Sequence, residues 1–129
     1  MIENINNIKN LLNVLKNNNV KATFFVNPVI AEQHKNLIRS LTRYGNIGAL
    51  VDIGYLASVN DTVNVLNNFK TQQQKLKNAK KILESITGRV VRGFMPHYGL
   101  FNKNTIHALI NNNYKYVMTD SLTDRAIPK

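Results

Sequence analysis

The chain has 129 residues, of which 43% are hydrophobic, with 17 Lys and Arg against 7 Asp and Glu and neither Cys nor Trp. That length predicts one domain, and the apolar fraction can bury a core, which argues against a disordered tail. The missing cysteines exclude disulfides, a Cys-ligated zinc and a thiol nucleophile while leaving the redox compartment open, and no segment has the pattern of an export signal or the ~18 apolar residues of a membrane span.

Apolar residues at Ile5, Ile8, Leu12 and Leu15 recur at helical spacing and predict an amphipathic helix stopped by Asn17-Asn18-Asn19. Residues 21–26 then read as a buried parallel strand, since Ala22-Thr23-Phe24-Phe25-Val26 is a continuous apolar and β-branched run bounded by Asn27-Pro28. A second helix is expected over 31–44 with Leu37, Ile38 and Leu41 inward, ended by Gly45, and a second strand over 46–51 leads into a loop over 52–59. Asn60 or Asp61 is placed to cap a long helix with Val63, Leu66, Phe69, Leu76, Ile82, Leu83 and Ile86 inward, closed by Thr87-Gly88. A strand over 89–95, a loop over 96–101, a helix over 102–112 with Ile106, Leu109 and Ile110 inward, and a strand over 114–119 complete the series. Such alternation predicts an α/β fold of parallel strands, whose chemistry collects at the strands' carboxyl ends: Asn27-Pro28, residues 50–54, 96–99 and 120–124.

The formal net charge of +10 raises the possibility of nucleic-acid binding. The densest basic run is Lys70, Lys75, Lys77, Lys80 and Lys81, followed by Arg89 and Arg92, and most of it is expected on the outer face of one helix. No aromatic residue interrupts the chain between Phe69 and Phe94, so the run reads first as a solvated face. About one residue in six is Asn, and both Asn triplets follow apolar-periodic segments, where Asn suits helix ends and turns.

Five pieces in order carry a family resemblance: Lys21-Ala22-Thr23-Phe24-Phe25-Val26-Asn27, Gly45-Asn46-Ile47-Gly48, Thr87-Gly88-Arg89, Phe94-Met95-Pro96-His97-Tyr98-Gly99 and Tyr114-Lys115-Tyr116-Val117. At this spacing they resemble polysaccharide deacetylases of the NodB-homology type, carbohydrate esterase family four, and the resemblance covers nearly the whole chain. It implies a partial, distorted (β/α) barrel and metal-assisted removal of N-acetyl groups from chitin, peptidoglycan or a related glycan, in a family that is often extracytoplasmic. The chemistry needs a divalent metal such as zinc, a carboxylate base, a general acid and oxyanion donors.

The chain departs from that pattern at most of the positions the resemblance assigns. The family's Asp-Asp strand would precede Asn4, its metal histidines fall at Leu50 and Gly54, and its base-tethering arginine falls at Met95. Pro96, Tyr98 and Gly99 are kept as the candidate substrate-binding loop, with His97 in place of a second proline, and Asp120 matches a later acidic residue. An arginine with no carboxylate to orient would be costly to bury, so an apolar Met95 accords with a dismantled site. The first reading is therefore a deacetylase-like domain without hydrolysis or a metal, keeping at most weak binding of an N-acetylated glycan. The rival is an active zinc enzyme using Asp52, His97 and Asp120, with Tyr98 a further candidate rim residue, and a third is a basic nucleic-acid-binding module.

Other candidates have ordinary readings beside them. His34 and His107 are expected on helix surfaces, Tyr44, Tyr55 and Tyr98 as packing residues more than sugar platforms, and Asn60-Asp61-Thr62 as a helix cap more than a glycosylation acceptor. A complete (β/α) barrel takes ~250 residues, and four parallel strands cannot close. A single domain over 1–129, short of the family's first and C-terminal strands, would leave sheet edges for flanking sequence or a second copy to cover.

Overall fold

The computed structural model describes residues 5–18, 22–56, 64–97 and 99–119. Helix α1 (Ile5–Asn18) leads to strand β1 (Ala22–Val26), short helices α2 (Pro28–Gln33) and α3 (Lys35–Leu41), and strand β2 (Gly45–Val51). A hairpin of β3 (Gly54–Leu56) and β4 (Asn64–Leu66) precedes the long helix α4 (Phe69–Thr87), followed by β5 (Gly93–Pro96), α5 (Lys103–Asn111) and β6 (Tyr116–Val117). The main sheet has the order β1-β2-β5-β6 with every pairing parallel, as the alternation of helix and strand requires, while β3 and β4 pair antiparallel apart from it.

Alternation along the strands sends side chains to two faces. On one face Phe24, Val26, Ile47, Ala49, Val51 and Phe94 join Ala31, Ile38, Leu41, Leu76, Leu83 and Ile86 in the helix-covered core. The other face carries Phe25, Gly48, Leu50, Gly93, Met95 and Tyr116, in which Phe25 and Gly48 are register partners, as are Leu50 and Met95, and Gly93 and Tyr116.

Several boundaries differ from the sequence expectation for local physical reasons. The helix expected over 31–44 begins earlier, because the Asn27 side chain accepts the Val29 N–H at 2.8 Å and Pro28 suits the first helical position. It is also broken at His34, which lies between α2 and α3 with φ −136° and ψ 50°, rather than inside one helix. The helix expected from Asn60 or Asp61 starts at Phe69 instead, where the Asn68 side chain accepts the Thr71 N–H at 2.9 Å. Residues 60 and 61 lie outside those described, and Leu66, read as helical, ends β4. Gly88 closes α4 in the left-handed conformation at φ 69°, as expected of a C-terminal glycine.

Strand β5 is shorter than the expected 89–95 because the backbone of Val91 is satisfied by α4. Glu84 accepts its N–H at 2.8 Å and Lys80 Nζ donates to its carbonyl at 2.6 Å, so this buried residue needs no ladder partner. On α5 the inward residues are Thr105, Ala108 and Leu109, whereas Ile106 and Ile110, expected inside, are exposed. A reciprocal capping box between Asn102 and Thr105 sets that rotation, and Thr105 Oγ1 also donates to the buried Gln72. At the end of α5 Asn113 takes φ 62°, the left-handed geometry that Asn tolerates.

The basic run on α4 is not one solvated face. Lys70, Lys77 and Lys81 are exposed, but Lys75 reaches the Asp52 carbonyl at 3.0 Å, and Lys80 is turned inward onto Glu84 at 2.7 Å and over the Tyr114 ring.

Candidate functional site

At the carboxyl rim the last register pair of β2 and β5 is Val51 with Pro96, so the chain leaves both strands side by side, toward Asp52 and His97. The half-buried His97 donates its backbone N–H to the Val51 carbonyl at 3.1 Å, continuing the pairing by one step. Asp52 is exposed and already committed locally: Oδ1 accepts the Gly54 N–H at 3.0 Å, and its carbonyl takes Lys75. Pro96 is buried, and its carbonyl accepts the Gly99 N–H at 3.2 Å with Gly99 at φ 75°, a conformation that favours glycine. The fold thus brings Asp52, His97, Pro96 and Gly99 to one rim. Tyr98 and Asp120 lie outside the described residues.

One step below the rim, Leu50 and Met95 are paired in register. Leu50 is fully buried and Met95 half-buried. These are the positions to which the resemblance assigns one metal-binding imidazole and the base-orienting guanidinium, and Gly54, assigned the other imidazole, opens β3 with no side chain. Leu50 and Gly54 offer a divalent cation no side-chain donor, so the implied metal does not fit these residues and no chemical step is derived through it. Among the described residues no three His, Asp or Glu side chains are grouped to hold a metal ion.

The next row down was not anticipated from the sequence. Phe25, Gly48, Gly93 and Tyr116 lie in line across all four strands, and the outer aromatic rings reach over the two glycines to meet edge to face, centroids 6.4 Å apart at 85°. A Cβ on Gly48 would stand 2.6 Å from the Phe25 ring, and one on Gly93 would stand 2.4 Å from the Tyr116 ring. Glycine inside an apolar strand is the available sequence signal for such a close approach. Tyr44, considered as a sugar platform, is half-buried and packs against the core, and the side chain of Tyr55 lies outside those described. His34 and His107 are exposed.

Behind the sheet, Tyr114 is buried with its hydroxyl donating to the Leu76 carbonyl at 2.7 Å. Burial, with the nearby Glu84 charge, pushes its phenol well above the usual tyrosine range. Its place in the core makes it a packing residue and not a proton donor to the rim.

A family profile described as polysaccharide deacetylase matches residues 5–117. Among solved structures, a CE4 family pseudoenzyme from Bacillus anthracis superposes with a TM-score of 0.68 at 20% identity, covering 86% of this chain and 37% of its own. A peptidoglycan N-acetylglucosamine deacetylase in complex with an N-hydroxybenzamide compound gives 0.67 at 26% identity, covering 85% and 49%. A family 4 carbohydrate esterase from Streptomyces lividans, in complex with acetate, gives 0.68 at 18% identity, covering 86% and 55%. This chain therefore spans between about a third and just over half of the length of these neighbours. No curated protein matches. The parallel four-stranded sheet, the Pro96 and Gly99 turn, and a profile spanning nearly all of the described residues agree: the chain belongs to the polysaccharide deacetylase family.

Proposed function

We propose that this domain is a deacetylase-like module that does not hydrolyse, with at most weak affinity for an N-acetylated glycan at the carboxyl rim. The supporting observation is the Leu50 and Met95 pair, which fills with hydrocarbon and thioether the row where the resemblance expects an imidazole and a guanidinium. Neither side chain can polarise an amide carbonyl, activate a water or orient a carboxylate base. The Pro96 and Gly99 turn, closed by a backbone hydrogen bond, supports the reading that part of the implied sugar-binding loop remains at this rim.

Acetate release from acetylated chito-oligosaccharides, with and without added zinc, tests the reading, and line broadening of the same oligosaccharides by NMR tests binding. Weak binding without acetate is the expected result. Zinc-dependent acetate release would overturn it in favour of hydrolysis through Asp52, His97 and Asp120. Nucleic-acid binding through α4 has less support, because Lys75 and Lys80 are engaged within the protein.

A further inference from the structure

The opposite rim, where the strands begin, has a different chemistry. Parallel pairing brings there the basic residues that precede three strands: Arg43 two residues before β2, Arg92 directly before β5 and Lys115 directly before β6. Arg89 joins them after α4. A cavity of about 510 Å³ opens at this rim, lined by Arg43, Arg89, Thr23, Thr42 and Asn46 with the backbone at Ala22 and Gly45. Gly45 is needed where the two strands start, since a Cβ there would collide with the Ala22 backbone. Asn46 also lines an adjoining cavity of about 40 Å³ with Arg92 and Tyr116.

Two ordinary roles for these arginines are already filled by other groups. Capping the carboxyl end of α4 falls to Arg39, whose Nε donates to the Ile86 carbonyl at 2.9 Å. The nearby acid, Glu84, has one oxygen shared by Lys80 Nζ at 2.7 Å and the Val91 N–H at 2.8 Å. Among the described residues, Arg43, Arg89 and Arg92 form no ion pair, and no acidic residue lines either cavity. Exposed guanidinium groups that line one cavity with hydroxyl and amide side chains make a recognition surface for a tetrahedral oxyanion.

We propose that the amino-terminal rim binds a phosphate ester, its phosphoryl oxygens held by Arg43 and Arg89 with Asn46 and Thr23, its organic part occupying the rest of the larger cavity. The reading is independent of whether the opposite rim hydrolyses anything.

Titration of the full chain with inorganic phosphate and then with a sugar phosphate, followed by amide shifts in ¹H–¹⁵N NMR at low salt, tests it. The expected result is saturable shifts at residues 43–46 and 89–92, and an affinity about tenfold or more weaker in the Arg43→Gln/Arg89→Gln variant. Lys77→Gln/Lys81→Gln, which removes the same charge from an exposed face, is expected to bind as the unsubstituted protein does. Equal weakening in both variants would show general charge attraction and overturn the site. Shifts centred elsewhere in the unsubstituted protein, or none that saturate, would overturn it without reference to any variant.

Discussion

Leu50 and Met95 are register partners in the two central strands, one fully buried and one half-buried, on the face of the sheet opposite the helices. Their pairing joins into one apolar row two positions, 45 residues apart in sequence, at which the resemblance expects polar side chains. Restoring one polar group alone would leave it facing its neighbour's hydrocarbon. Leu50→His is expected to destabilise the domain by about 2–5 kcal/mol, the range for losing a large buried aliphatic group, and to yield no acetate release with zinc. Urea unfolding together with the acetate assay checks both parts.

The glycine row predicts a steric coupling. Gly93→Ala places a methyl group 2.4 Å from the Tyr116 ring and is expected to cost about 1–3 kcal/mol. Tyr116→Ala removes the obstacle, so the double variant should be less damaged than the sum of the two single ones. A double-mutant cycle by chemical denaturation measures this interaction, and simple additivity would contradict the packing described.

Tyr114 predicts a pH dependence with a definite sign. Its phenol is pushed up by burial, so above about pH 10 the unfolded chain loses this proton while the folded chain holds it. The stability tied to this group is fully present below the unfolded value and declines as pH rises past it. Tyr114→Phe should remove that decline and, by leaving the Leu76 carbonyl without its 2.7 Å donor, cost about 1–2 kcal/mol at neutral pH. Thermal melts from pH 7 to about 11 compare the two proteins.

Thr105 ties α5 to α4. Its hydroxyl donates to Gln72 and accepts the Asn102 N–H at 3.0 Å, and Gln72 Nε2 in turn donates to the Asn67 carbonyl at 2.7 Å. Thr105→Val keeps the shape but leaves the buried Gln72 amide oxygen unsatisfied, with an expected loss of about 1–3 kcal/mol. Urea unfolding should show it, whereas Thr105→Ser, which keeps the hydroxyl, should recover part of the stability.

The order of helices and parallel strands was legible in the sequence because a strand buried on both faces must read as a continuous apolar run, as Ala22-Thr23-Phe24-Phe25-Val26 does. The family motifs were legible too, because the turn at Pro96 and Gly99 depends on residue types with special backbones. Helix starts were less so: competing Asn residues at 60 and 68 look alike in sequence, and Asn68 is the cap because β4 occupies the residues just before it. The inward face of α5 was misread for a related reason, since Ile106 and Ile110 have the apolar character but Thr105 has the partner.

By itself the sequence determined the order of the main helices and parallel strands, the kinship, and that Leu50 and Gly54, where the resemblance places metal ligands, carry no ligating side chain, since these follow from residue type and local spacing. Tertiary structure alone decided that Leu50 and Met95 are neighbours, which lysines point inward, and that arginines scattered from 43 to 92 share one rim. Those are facts of strand register and crossover, which bring distant residues side by side without leaving a periodic trace in the chain.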